Sequence, residues 1–450
     1  MEASAELIKL KLYKGKNILG IATDFIANTP DFIHRKEEEL GDFYQVKVPV
    51  RELFVTFRPS VIKRVLQTNA RNYKKSVAFQ HLKSFVGEGL VTSEGDLWKK
   101  QRKISQPVFY KANLQNLITG MGEVAEAYYQ DLASRVREED SVNMAMEMMQ
   151  VTADVVMRTL FSSAKGFDKQ QMYESVGFGQ EVIIKRIYMP FQKQMDVLTG
   201  KDRKFEQTKK AFDDMIFSLI RERKANPGNQ VDLLSMMLNA RYADTGEPME
   251  EQQLRDELVT FYLAGHETSA NALSWTLYLM AKQPDIIEKV RAEEARVLNG
   301  KLPTMDDLKK LTYTRQVLEE GLRLYPPAYV VSREAIGEDI MEGVKIPAGS
   351  TIYLSFYALQ RSPQYWEEPN SFRPDRFSPE NKIPRHAYMP FGAGARMCIG
   401  NHFAMMEMQI LLSMLIRRFD IGLLSDKPIS MQPLVTLKPK NGIMMRIKPR

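Results

Sequence analysis

The chain is almost free of cysteine, and this scarcity excludes several kinds of site. Cys398 is the only cysteine among 450 residues, so neither an internal disulfide nor a zinc site built from several cysteines is possible. The five histidines show no local signature of a catalytic base. A single thiol is typical of proteins from a reducing, intracellular compartment.

Long apolar runs are also lacking. No stretch approaches the roughly 18 apolar residues that cross a bilayer, and residues 1–6 lack the charged-then-apolar order of a signal peptide. We therefore expect a cytoplasmic protein without a transmembrane segment. The formal net charge is +7 at pH 7, but no dense Lys/Arg tract is present, which argues against nucleic acid as a partner.

Apolar residues make up 44% of the chain, enough for a large core. The hydrophobic period is mostly helical between about residues 60 and 330. The longest helix is predicted over 251–282, and Pro284 is expected to open the next helix, which should end near Gly300.

Strands are predicted near both ends, in 43–57, 343–357 and 430–448. In the last of these, Asn441-Gly442 predicts a hairpin that pairs 434–437 with 443–446. The chain does not alternate strand and helix as a doubly wound fold does. We therefore predict one domain over 1–450, mainly α with small β-sheets.

The single cysteine lies in a glycine-rich loop. Gly392, Gly394, Arg396 and Gly400 surround Cys398, and an apolar helix follows. A helix N-terminus favours a thiolate through its N–H groups and dipole, and glycines let a backbone approach a flat group closely. On these residues alone, a small buried hydrophobe and a nucleophilic cysteine remain alternatives to a metal ligand.

The middle of the longest helix carries a second unusual pattern. Gly265 costs a helix interior about 1 kcal/mol relative to alanine, and Thr268 can bond back to the carbonyl four residues earlier. Together they predict a local opening for a small ligand, with Glu267 as an acid beside the alcohol. His266 does not begin a zinc-protease motif, because Ala270 stands where the second histidine would be.

The pattern Phe391-x-x-Gly394-x-Arg396-x-Cys398-x-Gly400 resembles, without a gap, the haem-binding signature of the cytochrome P-450 family of haem-thiolate monooxygenases. The resemblance implies the fold of that family and haem b as cofactor, with Cys398 as the axial thiolate. It also implies a haem-propionate contact for Arg396 and a packing role beside the ligand loop for Phe391. Thiolate donation favours O–O cleavage.

The segment around Gly265 is similar to the oxygen-binding helix of the family. The resemblance implies that Gly265 leaves room over the iron and that Thr268 donates a hydrogen bond during oxygen activation. Glu267 would relay protons, a form of general-acid catalysis. A carrier needs no proton relay, so the acid–alcohol pair favours an enzyme over a haem-binding sensor or carrier.

Two further sets of residues match family motifs. Glu320-x-x-Arg323, with Arg376 from the 372–377 segment, resembles the structural Glu–Arg–Arg cluster of the family. Trp98-x-x-x-Arg102 resembles its propionate-binding helix, and Arg333 is a third candidate for a propionate contact.

The resemblance places substrate contacts in five apolar segments, which favours a hydrophobic substrate such as a fatty acid, terpenoid, steroid or polyketide. The expected contacts are Phe79, Phe85, Val86, Leu90, Phe178, Val182, Ile183, Ile184, Ala264, Ala328, Val330, Val331 and Leu434.

No reductase follows Cys398 in this sequence, so electrons are expected from a separate ferredoxin, flavodoxin or diflavin reductase. Lys99, Lys100 and Lys103 suit docking of an acidic partner, although a plain solvated helix face explains them equally well. We expect a monomer that uses O2. A peroxide-driven or isomerising enzyme on the same fold remains the second interpretation.

Overall fold

A computed structural model describes residues 7–16, 22–49, 51–136, 141–162, 169–189, 191–228, 232–242 and 244–450. The α-helices are α1 (Thr23–Ala27), α2 (Thr29–Arg35), α3 (Glu37–Leu40), α4 (Pro59–Lys63), α5 (Ala78–Val86), α6 (Gly95–Ser105), α7 (Lys111–Arg135), α8 (Met144–Leu160), α9 (Lys169–Tyr188), α10 (Gln192–Leu198), α11 (Lys201–Ala225), α12 (Leu233–Asn239), α13 (Glu251–Ala281), α14 (Pro284–Val297), α15 (Met305–Lys310), α16 (Thr312–Leu324), α17 (Phe356–Leu359) and α18 (Asn401–Arg418).

The strands are β1 (Leu12–Tyr13), β2 (Phe43–Val48), β3 (Arg51–Thr56), β4 (Tyr73–Lys75), β5 (Ser141–Asn143), β6 (Val330–Ala335), β7 (Asp339–Met341), β8 (Val344–Ile346), β9 (Thr351–Ser355), β10 (Phe419–Leu423), β11 (Met431–Pro433), β12 (Leu437–Pro439) and β13 (Met444–Pro449). The expectation of a mainly α protein with small sheets is confirmed. Within the described ranges, no helix combines the length and apolar character that a bilayer crossing requires.

The long helix α13 runs through the centre of the helical part. It packs against α8, α11, α14, α16 and α18, and nearly every side chain from Leu254 to Met280 is buried. A helix covered on all sides belongs to the core rather than to the surface. The predicted bounds of this helix are right to one residue, and Pro284 opens α14 as expected.

The largest sheet joins distant parts of the chain in the order β1-β2-β3-β9-β6-β4. The antiparallel pair β2–β3 confirms the strands predicted in 43–57. β3 pairs in parallel with β9, and β9 is antiparallel to β6. This sheet brings β6, and with it Arg333, beside the helical part of the molecule.

The hairpin predicted at Asn441-Gly442 is wrong. Both residues adopt the positive φ of such a turn, 65° and 77°, but the flanking strands do not pair with each other. β12 pairs with β11, while β13 pairs with β10 and β5. Asn143 at the end of β5 accepts a hydrogen bond from the Ile443 backbone N–H at 3.1 Å. The turn therefore passes the chain from one sheet to another, because better partners lie elsewhere in the fold.

Candidate active site

An interior cavity of about 330 Å³ lies between α13 and the loop that carries Cys398. Cys398 and Phe391 line it from the cysteine loop, and Ala264 and Thr268 line it from α13. One edge of the cavity is cationic and the remainder is apolar. The residues of this edge are Lys75, Trp98, Arg102, Arg333 and Arg396.

The cysteine loop is held by its own backbone. The N–H of Cys398 donates to the Phe391 carbonyl at 2.9 Å, and that of Met397 donates to the Gly394 carbonyl at 3.1 Å. Gly394 has a φ of 73° and packs so closely on the Leu66 carbonyl that a side chain there would overlap it. Glycine is therefore required at this position both for conformation and for space.

The side chain of Cys398 is accessible, but only to a cavity that lies deep inside the protein. Burial therefore raises the pKa of its thiol, and the Gly400 backbone N–H and the Arg102 guanidinium offset only part of the rise. A thiol in this setting becomes a thiolate when a metal ion binds it, because metal ligation releases the proton.

Thr268 and Gly265 of α13 both line the cavity, Thr268 with its side chain and Gly265 with its backbone. Thr268 lines the cavity, and its hydroxyl donates to the Ala264 carbonyl at 2.7 Å. The missing side chain of Gly265 would meet Val156 of α8 at 3.0 Å. The glycine therefore lets α8 and α13 pack closely, while its backbone lines the cavity. Its expected role over an iron stays a prediction.

Glu267 adjoins Thr268 in sequence but is turned away from the cavity. Its carboxylate forms an ion pair with the Lys438 ammonium at 2.8 Å and accepts hydrogen bonds from Gln180 at 2.6 Å and Thr436 at 2.8 Å. Burial favours a higher pKa, but Lys438 outweighs it and holds the pKa of Glu267 below its usual range. The carboxylate thereby joins α9, α13 and the β12 region, and no feature of the sequence indicated these partners.

The expected propionate residues do come together. Trp98, Arg102, Arg333 and Arg396 all line the cavity. Arg102 donates to the Met397 carbonyl at 2.9 Å, and Arg396 lies 4.3 Å above the Trp98 ring while forming an ion pair with Glu94. Arg333 is buried, and burial together with Arg396 lowers its pKa to about 10. In the described part of the chain, neither Arg102 nor Arg333 forms an ion pair.

Lys75 is a member of this edge that the sequence did not reveal. Its ammonium is buried and donates to the carbonyls of Leu90 at 3.3 Å and Ser93 at 2.5 Å. Burial first, and then Arg396, lower the pKa of Lys75 to about 7. The described acidic neighbours of these four basic groups are Glu94, which pairs with Arg396, and Glu257, which lies near Lys75. The edge therefore keeps an excess of positive charge and is suited to a ligand with carboxylates.

The Glu–Arg–Arg cluster lies away from the cavity and is buried. Arg323 donates twice to Glu320, at 2.6 and 2.8 Å, and Arg376 donates once at 3.2 Å. The remaining N–H groups of Arg323 reach the carbonyls of Gln360, Pro369 and Ser371. All five donors of this guanidinium are satisfied, which is what a buried charge requires.

The expected substrate contacts divide into two groups. Phe79, Leu90, Ala264, Ala328 and Val331 line the cavity. The others are not among the described residues that line it, and most of them pack in the surrounding core. These are Phe85, Val86, Phe178, Val182, Ile183, Ile184, Val330 and Leu434.

Phe85 shows why some of the expected substrate contacts do not line the cavity. Its ring lies 5.5 Å from that of Phe205 and 5.7 Å from that of Phe212. Both partners belong to α11, so Phe85 packs against that helix. The sequence shows that these segments are apolar, but not which side chains turn inward.

A second buried acid lies near this cavity. Glu407 of α18 is fully buried, and neither of its carboxylate oxygens makes a hydrogen bond to any described residue. Burial raises the pKa of Glu407 to about 8, and the nearby Ser269 hydroxyl offsets only part of this. Glu407 therefore keeps its proton to a higher pH than an exposed glutamate does.

Comparison with known proteins agrees with this geometry. A sequence model of the family described as Cytochrome P450 matches residues 14–446. Putative cytochrome P450 132 of Mycobacterium tuberculosis is 31% identical over 425 residues, which cover 90% of this chain and 89% of that protein. Cyclooctat-9-en-7-ol 5-monooxygenase of Streptomyces melanosporofaciens is 29% identical over 384 residues, 84% and 82% of the two chains. Protein LUTEIN DEFICIENT 5, chloroplastic, of Arabidopsis thaliana is 27% identical over 489 residues, 96% and 80%.

The buried cluster predicts the effect of Arg323→Ala. The change leaves Glu320 buried with one of its two charge partners missing, so we expect a loss of about 3–5 kcal/mol in the free energy of unfolding and little cofactor-loaded protein. Arg315→Ala on the same helix breaks a partly exposed pair with Glu319 and should cost less than about 1 kcal/mol. Chemical unfolding and cofactor content per chain measure both, and equal behaviour of the two variants would contradict the assignment.

Glu407 predicts a pH dependence of stability. Its pKa is higher in the native state than in the unfolded state, so the native state binds more protons and the free energy of unfolding falls as pH rises between about 5 and 8. This contribution amounts to about 1.4 kcal/mol per pH unit. In Glu407→Gln it should vanish, so the variant gains stability relative to the wild type as pH rises. Glu251→Gln, at an exposed site, is the control; parallel pH profiles for wild type and Glu407→Gln would refute the prediction.

Proposed function

The chain belongs to the cytochrome P450 family of haem-thiolate monooxygenases, and from that premise we propose that Cys398 is the axial ligand of its haem b. The observation that supports this most directly is that the only thiol and Thr268 line the same largely apolar cavity, which also has a cationic edge. A flat apolar ring with two carboxylates and a metal ion that binds thiolate matches this set of groups.

The haem, when bound, supplies the iron at which O2 is activated, and thiolate donation favours O–O cleavage. The chain supplies the groups that hold and orient it. We assign the propionates to Arg102, Arg333 and Arg396, whose guanidinium forks suit carboxylates, together with the indole N–H of Trp98. Lys75 joins this set, because its ammonium borders the same edge.

On α13, Thr268 is the proposed hydrogen-bond donor to the oxygen substrate. Its hydroxyl borders the cavity and now donates to a helix carbonyl, so a small rotation redirects it. Glu267 is the proposed relay for protons. Because Lys438 and Gln180 hold its carboxylate, the relay requires that carboxylate to part from Lys438 first.

The substrate is proposed to be hydrophobic. The cavity walls that meet it are Phe79, Leu90, Ala264, Ala328 and Val331, which carry no charge. The name of the Streptomyces relative describes oxidation of cyclooctat-9-en-7-ol, a cyclic and largely hydrocarbon compound. A terpenoid, fatty acid, steroid or polyketide fits such walls, and the reaction places one oxygen atom of O2 in it by hydroxylation or epoxidation.

The electrons are proposed to come from a separate ferredoxin, flavodoxin or diflavin reductase that meets a cytoplasmic monomer. Arg102 of α6 contacts the Cys398 loop, so the exposed lysines of α6 lie near the ligand. Lys99 pairs with Asp96 and Lys100 with Asp244, whereas Lys103 is exposed. An acidic partner would compete with those exposed carboxylates for the same lysines.

The direct test is the difference spectrum of the reduced protein with carbon monoxide. We expect the Soret band at the position typical of a thiolate-ligated haem, and a shift to the position of a histidine-ligated haem in Cys398→His. A wild-type band at the histidine position would refute the assignment of Cys398.

The proposed role of Thr268 predicts how much product forms for each NADPH consumed. In Thr268→Ala we expect a several-fold fall in product formed per NADPH consumed, with the balance released as hydrogen peroxide, while Thr268→Ser retains most of the coupling. Glu267→Gln should slow turnover and change the solvent isotope effect. Unchanged coupling in every Thr268 variant would favour a carrier, and turnover with peroxide but with no reductase would favour a peroxide-driven enzyme.

Docking is tested by charge reversal. Lys99→Glu/Lys100→Glu should slow reduction by the partner several-fold and weaken the dependence of that rate on salt, because screened attraction drives the encounter. Lys210→Glu is a matched control on α11, since Lys210 also forms an exposed pair with an acid one turn away. The same rate and salt dependence in the α6 variant and the wild type would exclude this docking face.

A further inference from the structure

The segment that joins α5 to α6, residues 87–94, crosses the face of α13 beside the cavity. Leu90 of this segment lines the cavity. Loops of this kind usually leave their backbone to water and move freely. Buried side chains hold the backbone of this one instead. We call residues 85–93, which include the last two residues of α5, the wall segment.

Three consecutive side chains of α13 hold one side of the wall segment. Arg255 donates to the carbonyls of Val86 at 3.1 Å and Phe85 at 3.3 Å. Asp256 accepts the backbone N–H of Glu88 at 2.7 Å, and Glu257 accepts that of Leu90 at 3.1 Å. The holding residues Arg255, Asp256 and Glu257 are all buried, with exposed fractions of 1%, 6% and 0%.

Side chains from two other elements also hold the wall segment. Gln101 of α6 donates to the Glu88 carbonyl at 2.7 Å, and Lys75 of β4 donates to the Leu90 and Ser93 carbonyls. The backbone of Leu90 is therefore held at both of its polar groups: its N–H donates to Glu257, and its carbonyl accepts from Lys75.

Two glycines make this approach possible. A side chain on Gly87 would overlap the carboxylate of Asp256, and one on Gly89 would overlap the hydroxyl of Thr260. The backbone of the wall segment therefore lies directly on α13. These hydrogen bonds to backbone groups are shielded from water, and removing one partner leaves a buried group unsatisfied.

We propose that Arg255, Asp256 and Glu257 fix the wall segment as a rigid boundary of the cavity, and that Leu90 thereby sets the size limit for substrate. The three holding residues act as positioning residues, and Leu90 determines specificity by direct contact. This inference rests on the proposed function for its substrate, but the rigidity of the segment does not depend on it.

Hydrogen exchange of the haem-loaded protein tests the rigidity. We expect the amides of Glu88 and Leu90 to exchange at least 100-fold more slowly than in an unstructured chain, and ligand binding to change these rates less than threefold. Asp256→Ala should speed exchange of the Glu88 amide at least tenfold, whereas the control Glu251→Gln should leave it unchanged. Fast exchange in the wild type, or strong protection only when ligand binds, would show a mobile lid and overturn the proposal.

A pair of substitutions tests the size limit with two azole probes, imidazole and an imidazole carrying a triphenylmethyl group. Titration of the Soret band gives their dissociation constants. Leu90→Phe should weaken binding of the bulky probe at least tenfold and leave imidazole within twofold. Adding Asp256→Ala to Leu90→Phe should recover most of the bulky probe's affinity, because the released segment can move aside.

The outcomes separate this inference from the proposed function. If Leu90→Phe excludes neither probe, or if the double variant excludes the bulky probe as strongly as Leu90→Phe alone, the rigid boundary is refuted while the thiolate spectrum stands. If the spectrum lacks the thiolate band but the exchange rates are as expected, the proposed ligand fails and the rigidity holds. If Asp256→Ala does not fold, the exchange rates of the wild type alone decide the rigidity.

Discussion

The burial of α13 along most of its length is the constraint on which the rest of the structure depends. A polar group that leaves water must find a partner inside the protein or lose several kcal/mol. Along this helix, polar side chains meet partners from distant parts of the chain: Arg255 reaches the wall segment, Trp275 donates to the Leu437 carbonyl at 3.0 Å, and Glu267 pairs with Lys438. One helix therefore determines where α9, the wall segment and the β12 region lie.

The cationic edge of the cavity differs from most of the other buried arginines. Arg323 pairs with Glu320 and Arg223 pairs with Asp232, whereas Arg361 is held by the Leu324 carbonyl and the Asn370 side chain. At the cavity, Arg333 is buried but donates only to the carbonyl of Ser332 among the described residues. Lys75 is likewise held by carbonyls. Apart from the pair of Arg396 with Glu94, the cations of this edge form no ion pair in the described part of the chain, which suits a ligand that brings carboxylates.

The sequence predicted most of what depends on local pattern. The bounds of α13, the start of α14 at Pro284 and the strands β2, β3 and β9 follow from hydrophobic period and turn residues. The cysteine loop and Thr268 were recognisable because their spacing is specific. Lys75 was not, since a lysine in a short strand has no local signal that distinguishes a buried ammonium from a solvated one. The hairpin predicted at 441–442 was wrong for a related reason. The turn has the conformation that its residues favour, but β13 pairs with β5 and β10 instead of β12.

By itself, the sequence determined the family, the mainly α architecture and the position of the only thiol, because each depends on which residues occur and at what spacing. Only the tertiary structure decided that Gly265 makes room for Val156, that Glu267 faces Lys438, and that the backbone around Leu90 is held by Asp256 and Glu257. These are contacts between residues more than 100 positions apart. Their energies depend on burial and direction, which exist only after the chain has folded.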